Sequence, residues 1–149
     1  MYQFIHFRVR HVMTSHPVTV DKGMPLLKAV EIFDRHDFNG LPVVDGGNRL
    51  IGMMTKLDLL KAFTFSEKSK VPHYDEIMVQ PIETVLTKDP LCVSPETPLT
   101  RVVQHMIETK YKSFPVIEDG HVVGMVARED IMKALRKAAQ GEGPESPTV

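Results

Sequence analysis

Gly52-Met53-Met54-Thr55-Lys56-Leu57-Asp58 decides how this chain is read. An apolar pair, Leu50-Ile51, precedes it, and an amphipathic run of Leu57, Leu59, Leu60 and Phe63 follows. That order predicts a strand running directly into a helix, with glycine at the junction and Thr55 and Asp58 in the helix's first turn. Two roles fit such a turn. Helix N-termini carry unpaired backbone N–H groups and a partial positive charge, which suits an anion such as phosphate. Thr55 equally fits an ordinary N-cap.

The stretch occurs twice. Gly124-Met125-Val126-Ala127-Arg128-Glu129-Asp130 stands 72 residues on, after Val122-Val123 and before a second helical run containing Ile131 and Leu135. The echo extends backwards at an offset of 73, where Val12, Thr14, Pro17, Val20, Pro25, Leu26, Val30, Pro42 and Val43 meet identical residues. Nine identities in the 37 positions from Arg8 to Val44 exceed what unrelated segments of average composition share. The offset drops by one because the turn Asp45-Gly46-Gly47-Asn48 is one residue longer than its partner around Glu118-Asp119-Gly120, a change that surface turns tolerate. The chain is a tandem repeat.

With 149 residues, 25% of them charged and 42% apolar, the chain has the composition of a soluble globular protein. A module of that size buries roughly 70% of its unfolded surface. The net charge of −1, with no long basic run, argues against a nucleic-acid partner. No apolar stretch approaches a membrane span, and Met1 to Arg10 lacks the pattern of a signal peptide. Cys92 is the sole cysteine, so no internal disulfide forms; together these features predict a cytoplasmic protein.

Taken in order, Arg8–Met13 and Pro81–Leu86 have helical spacing. Short strands are expected at Val18-Thr19-Val20 and Leu91-Cys92-Val93. Pro25 and Pro98 then open one-sided amphipathic helices, the first predicted to end at Asn39-Gly40. Leu41–Val44 and Phe114–Ile117 lead through glycine-bearing turns into Arg49–Met54 and His121–Val126, giving a hairpin in each copy. Pro42 and Pro115 belong at a strand start or on an edge. Final helices are expected over Thr55–Phe63 and Arg128–Ala139. The predicted organisation is a first repeat at 8–66, a linker at 67–80 with a helical turn near Asp75–Val79, a second repeat at 81–139, and a disordered tail at 140–149. Each copy is too small to build a secure core alone, so the two should stack.

The order strand, helix, Leu-Pro-Val-Val-Asp, hairpin, Gly-Met-Met-Thr-Lys-Leu-Asp resembles the CBS domain, and two copies resemble a CBS pair, or Bateman module. The resemblance covers about Arg8 to Lys137. It implies a mixed α/β (α+β) fold of two β-α-β-β-α repeats packed about a pseudo-two-fold axis, commonly paired again into a homodimer. It also implies two clefts for adenosine-containing ligands: AMP, ADP, ATP or S-adenosylmethionine. In the first cleft Asp58 would accept hydrogen bonds from the ribose hydroxyls and Thr55 would approach phosphate. Thr87, Asp89, Leu91, Cys92, Lys112, Ser113 and Phe114 would surround the base, with Lys112 the expected phosphate partner. The mirror cleft would use Asp130 with Thr14, His16, Val18, Thr19, Asn39, Gly40 and Leu41. Ala127 there replaces the hydroxyl residue, which leaves Arg128 to reach phosphate.

The same residues fit other roles. Asp58 and Asp130 also fit first-turn acids that favour the helix dipole, worth about 0.3–1 kcal/mol each. The seven histidines show no HExxH or clustered spacing, His105 reads as a partly exposed helix residue, and no Walker or Rossmann glycine loop occurs, so neither a metal nor catalysis is expected. Cys92 reads as a small buried hydrophobe, and Met53, Met54 and Met125 as core filling. The expectation is a nucleotide sensor that controls a separate protein; the rival is a ligand-free dimerisation module with a purely structural role.

Overall fold

The computed structural model describes residues 2–64 and 73–145. Parts of the predicted linker and tail, at 67–72 and 146–149, lie outside the described residues. In chain order the helices are α1 (Val9–Val12), α2 (Leu26–Arg35), α3 (Lys56–Lys61), α4 (Tyr74–Met78), α5 (Leu99–Thr109) and α6 (Arg128–Ala139). The strands are β1 (Thr14–Ser15), β2 (Val20–Asp21), β3 (Gly40–Val44), β4 (Leu50–Thr55), β5 (Thr87–Lys88), β6 (Ser113–Glu118) and β7 (His121–Ala127). Single 3-10 turns occupy Tyr2–His6 and Ile82–Thr84.

Two compact units form, and their limits run across the sequence repeats: Val18–Pro90 is one, and Met1–Pro17 with Leu91–Val149 is the other. The 18–90 unit has the sheet order β2-β3-β4-β5, with β2 parallel to β3 and the remaining pairs antiparallel. Its core gathers Val20, Leu26, Ala29, Leu41, Val43, Met54, Leu59 and Ile82. The apolar stripe of α2 supplies Leu26 and Ala29, and β3 is buried along its whole length. The other unit has the order β1-β7-β6, all antiparallel. Phe4, Phe7, Val9, Leu99, Val102, Phe114, Val126 and Ile131 are among the residues of its core.

The entry segment of each repeat docks on the other repeat, by the same bonds. Val9 N–H donates to Thr97 O at 2.9 Å and Leu99 N–H to Phe7 O at 3.0 Å. Seventy-three residues along, Ile82 N–H donates to Met24 O at 2.8 Å and Leu26 N–H to Gln80 O at 2.9 Å. β1 then lies on β7, with Thr14 opposite Met125, and β5 lies on β4, with Thr87 opposite Met53. The glycine of each motif makes that approach possible. A Cβ on Gly52 would collide with the Thr87 carbonyl, and one on Gly124 would stand 2.9 Å from Thr14 O.

Several local expectations are corrected. Helix α2 stops at Arg35 with His36 as its cap, while Gly40, expected to end the helix, is the buried first residue of β3. The strand read at Leu91–Val93 reduces to one bridge, Val93 to Val116, and that at Val18–Val20 starts only at Val20. The helical turn read in the linker is α4. Among the described residues no helix is long and apolar enough to cross a membrane.

Candidate functional site

Strand β4 ends at Thr55, which caps α3. Thr55 Oγ1 accepts from Asp58 N–H at 3.1 Å, and Asp58 Oδ2 accepts from Thr55 N–H at 2.9 Å. This reciprocal pair is the capping box, and it fixes the Asp58 carboxylate beside the strand end. The docked strand β5 brings Thr87 to the same carboxylate, its hydroxyl 3.2 Å from each oxygen. Asp58 is buried at 7% exposure, and among the described residues no cation pairs with it. Oδ1 therefore meets only the shared Thr87 hydroxyl and keeps acceptor capacity. Both the ordinary N-cap role and the buried acid are present at once.

The equivalent corner of the other unit is built from Ala127, Asp130 and Thr14. Ala127 N–H donates to Asp130 Oδ2 at 2.8 Å, but alanine has no hydroxyl to return the bond to Asp130 N–H. Burial pushes the Asp130 carboxyl up from its ordinary value, opposed by the Ala127 hydrogen bond and by nearby Lys133. Thr14 and Asp130 line one cavity of about 610 Å³.

The remaining expected residues divide by unit. Thr55, Asp58, Thr87, Asp89, Val18, Thr19, Asn39, Gly40 and Leu41 belong to the 18–90 unit, where Gly40 stands opposite Thr55 in the β3–β4 pair. Asp130, Arg128, Thr14, His16, Leu91, Cys92, Lys112, Ser113 and Phe114 belong to the other. There Phe114 lies in the core at 1% exposure, edge-on to His105. Arg128 donates from its guanidinium to Lys110 O at 2.8 Å, and its backbone N–H to Lys112 O at 3.0 Å. Cys92, expected to be a buried hydrophobe, is exposed, because its neighbours Leu91 and Val93 are the residues that pack toward the core. His16 and Asp89, equivalent across the repeat, both hold left-handed backbone, with φ of 52° and 51°, immediately before a proline. Nothing in the composition announced that pair; the doubled His/Asp-Pro dipeptide was its only trace.

Known proteins resemble this chain in sequence and in fold. The chain is 27% identical over 126 residues to the L-aspartate semialdehyde sulfurtransferase of Methanocaldococcus jannaschii, and 27% identical over 135 residues to the A-adding tRNA nucleotidyltransferase of Aquifex aeolicus. These alignments take in 84% and 91% of this chain but only 22% and 15% of those relatives, so the chain spans about a fifth or less of their length. Among solved structures, the CBS domain pair of protein MJ0100, in complex with 5′-methylthioadenosine and S-adenosyl-L-methionine, matches with a TM-score of 0.72 and 25% identity. That match covers 89% of this chain and 98% of that one. A CBS domain-containing protein from Bacillus anthracis matches in fold with a TM-score of 0.78 at 21% identity, over 91% and 97% of the two chains. The CBS domain profile itself matches twice, at residues 9–64 and 82–137. With both repeats matched and the fold shared, this chain belongs to the CBS domain family and is a tandem CBS pair.

Proposed function

We propose that this chain is a regulatory module that senses adenosine-containing ligands, of the class AMP, ADP, ATP or S-adenosylmethionine, in the cytoplasm, and that it controls a partner protein rather than catalysing a reaction. The observation that carries this reading is the Asp58 corner: a buried carboxylate with no cationic partner among the described residues, held by Thr55 and Thr87, with one oxygen still able to accept. Vicinal ribose hydroxyls are donors of the kind such a carboxylate binds, and the charged acceptor makes each bond stronger than a neutral one. The complex of MJ0100 with two adenosine derivatives supports the same class of ligand. Occupancy can shift the chain's conformational equilibrium only by the difference in ligand affinity between its states.

Calorimetry and thermal shift with AMP, ADP, ATP, S-adenosylmethionine and 5′-methylthioadenosine test the reading. One or more should bind saturably, and Asp58→Ala should weaken that ligand by about tenfold or more, the loss expected when a charged acceptor is removed. Unchanged affinity in Asp58→Ala would place the site elsewhere.

A homodimer belongs to the same proposal, and one feature favours interaction in its own right. Leu57 and Leu60 on α3 and Met132 on α6 are each more than 60% exposed. Solution scattering reads the assembly directly; a monomer at high concentration refutes the dimer and leaves the ligand reading intact.

A further inference from the structure

The segment after α6 turns back over its own unit. Gly141 takes a left-handed φ of 76°, its N–H donating to Ala138 O at 3.0 Å, and Glu142 N–H donates to Lys137 O at 2.9 Å. This glycine cap ends the helix and sends the chain toward the N-terminal segment. A Cβ on Gly143 would stand 3.4 Å from Gln3 Oε1, and Glu145 then meets His11, its Oε1 lying 3.2 Å from Nε2. Gln140 and Glu142 line the 610 Å³ cavity together with Phe7, His11 and Val12 from the N-terminal segment. The returning chain is therefore part of one wall of that cavity.

Little holds this wall in place. None of the residues from 141 to 145 is buried, so apolar burial contributes little to its seat. Its far end is fixed by His11. The ring's Nδ1 accepts from Arg8 N–H at 2.8 Å, so the imidazole is a neutral donor whose Nε2 carries the proton that Glu145 accepts. The His11 side chain is only 7% exposed, whereas that of Glu145 is 82% exposed. A buried donor requires an acceptor, and here the acceptor is a carboxylate that remains almost wholly in water. One hydrogen bond of this kind changes the closed population by a factor of about two to ten, and a segment without buried apolar contacts opens independently of the core.

We propose that residues 141–145 are a releasable strap: latched by the hydrogen bond from His11 to Glu145 it closes one side of the cavity, and released it opens that side. The strap gives the chain its own control over access to the Asp130 corner; that purpose rests on the ligand reading above, whereas the strap is tested without a ligand. Diethyl pyrocarbonate acylates imidazole nitrogen, and mass spectrometry of the labelled full chain gives a rate for each histidine. Glu145→Ala should speed labelling of His11 by about two- to tenfold, the worth of one hydrogen bond, and leave His36, in the other unit, unchanged. Glu145→Gln, whose amide oxygen still accepts from a neutral donor, should stay within about twofold of the parent. Gly141→Val puts a β-branched residue at positive φ and should release the strap from its other end, labelling His11 as fast as Glu145→Ala does. A soluble gadolinium chelate reads the cavity itself and should broaden the Val12 methyl resonances more in both released variants than in the parent. Thermal melts confirm that the variants fold. A His11 rate unchanged in Glu145→Ala and Gly141→Val overturns the strap. Faster labelling with Val12 unaffected overturns the closure, and Glu145→Gln labelling as fast as Glu145→Ala overturns the neutral hydrogen bond as the latch. AMP that shifts no Val12 resonance in the parent or in Glu145→Ala refutes the ligand reading of this corner and leaves the strap standing.

Discussion

Asp58 and Asp130 occupy the same place in the repeat and live in different chemistry. Asp58 receives the Thr55 N–H and the Thr87 hydroxyl, so its burial is compensated by donors on two elements. Replacing Thr87 by valine keeps the shape and removes one donor from a buried carboxylate. Urea unfolding should show a loss of about 1–3 kcal/mol, while Thr14→Val, at an exposed position, should change little. Equal losses at the two threonines would show that the hydroxyl contact to Asp58 is not what matters. For Asp130 the sign is opposite. Burial raises its folded pKa above the ordinary 3.8, so between those values the native state holds more protons than the unfolded one. Asp130 therefore subtracts stability as pH rises upward from 3.8, and the cost vanishes below it, where both states are protonated. Asp130→Asn keeps an acceptor for the Ala127 N–H and removes the titration. Melting temperatures of the two chains should converge at acid pH and separate upward of it, with the asparagine variant the more stable. Parallel curves would show that the carboxylate is not penalised.

At the scale of elements, the doubled glycine explains why an exposed two-residue strand can sit close to a hairpin. Alanine at Gly52 meets the Thr87 carbonyl and the Leu86 side chain, and at Gly124 it meets Met13 and the Thr14 carbonyl. Both substitutions should cost about 1–3 kcal/mol, the range for overpacking, with Gly52 the worse because its nearest neighbour is rigid backbone and that of Gly124 is a flexible thioether. Chemical denaturation checks the order. The turns that follow β1 and β5 store a second constraint. A β-branched residue forced into left-handed backbone costs about 1–2 kcal/mol, so His16→Val and Asp89→Val should each destabilise by that amount, and glycine at either place should not. Much of this level was legible in advance. Amphipathic spacing gave α2, α5 and α6, and turn chemistry gave both hairpins, because each signal is local. Asn39-Gly40 misled for a physical reason: the glycine serves tight packing at the start of a buried strand and never adopts positive φ. The single bridge at Val93 was equally hidden, since its partner lies on a distant strand.

For the whole molecule, repetition in sequence and compactness in space have different boundaries. Identity at a fixed offset revealed two copies, and nothing in that offset says which copy an entry segment will pack against. The exchange is a tertiary choice: Phe7 and Val9 complete the core that holds Leu99, while Ile82 completes the core that holds Leu26. The Asp58 corner depends on it, because Thr87 begins the second copy in sequence and serves the first in space. A choice of fragments separates the two descriptions. Residues 8–66 follow the repeat but lack Ile82, β5 and the backbone bonds from Ile82 N–H to Met24 O and from Leu26 N–H to Gln80 O, and they carry Val9 without the core that buries it. Residues 18–90 contain every buried member of their own cluster and the full four-stranded sheet. Produced separately, 18–90 should unfold cooperatively in urea with dispersed amide resonances, whereas 8–66 should show neither, since losing a fully buried isoleucine and an edge strand costs more than a small domain has to spare. If 8–66 were the cooperative fragment, the entry segment would be dispensable and Thr87 could not be what holds Asp58 in place.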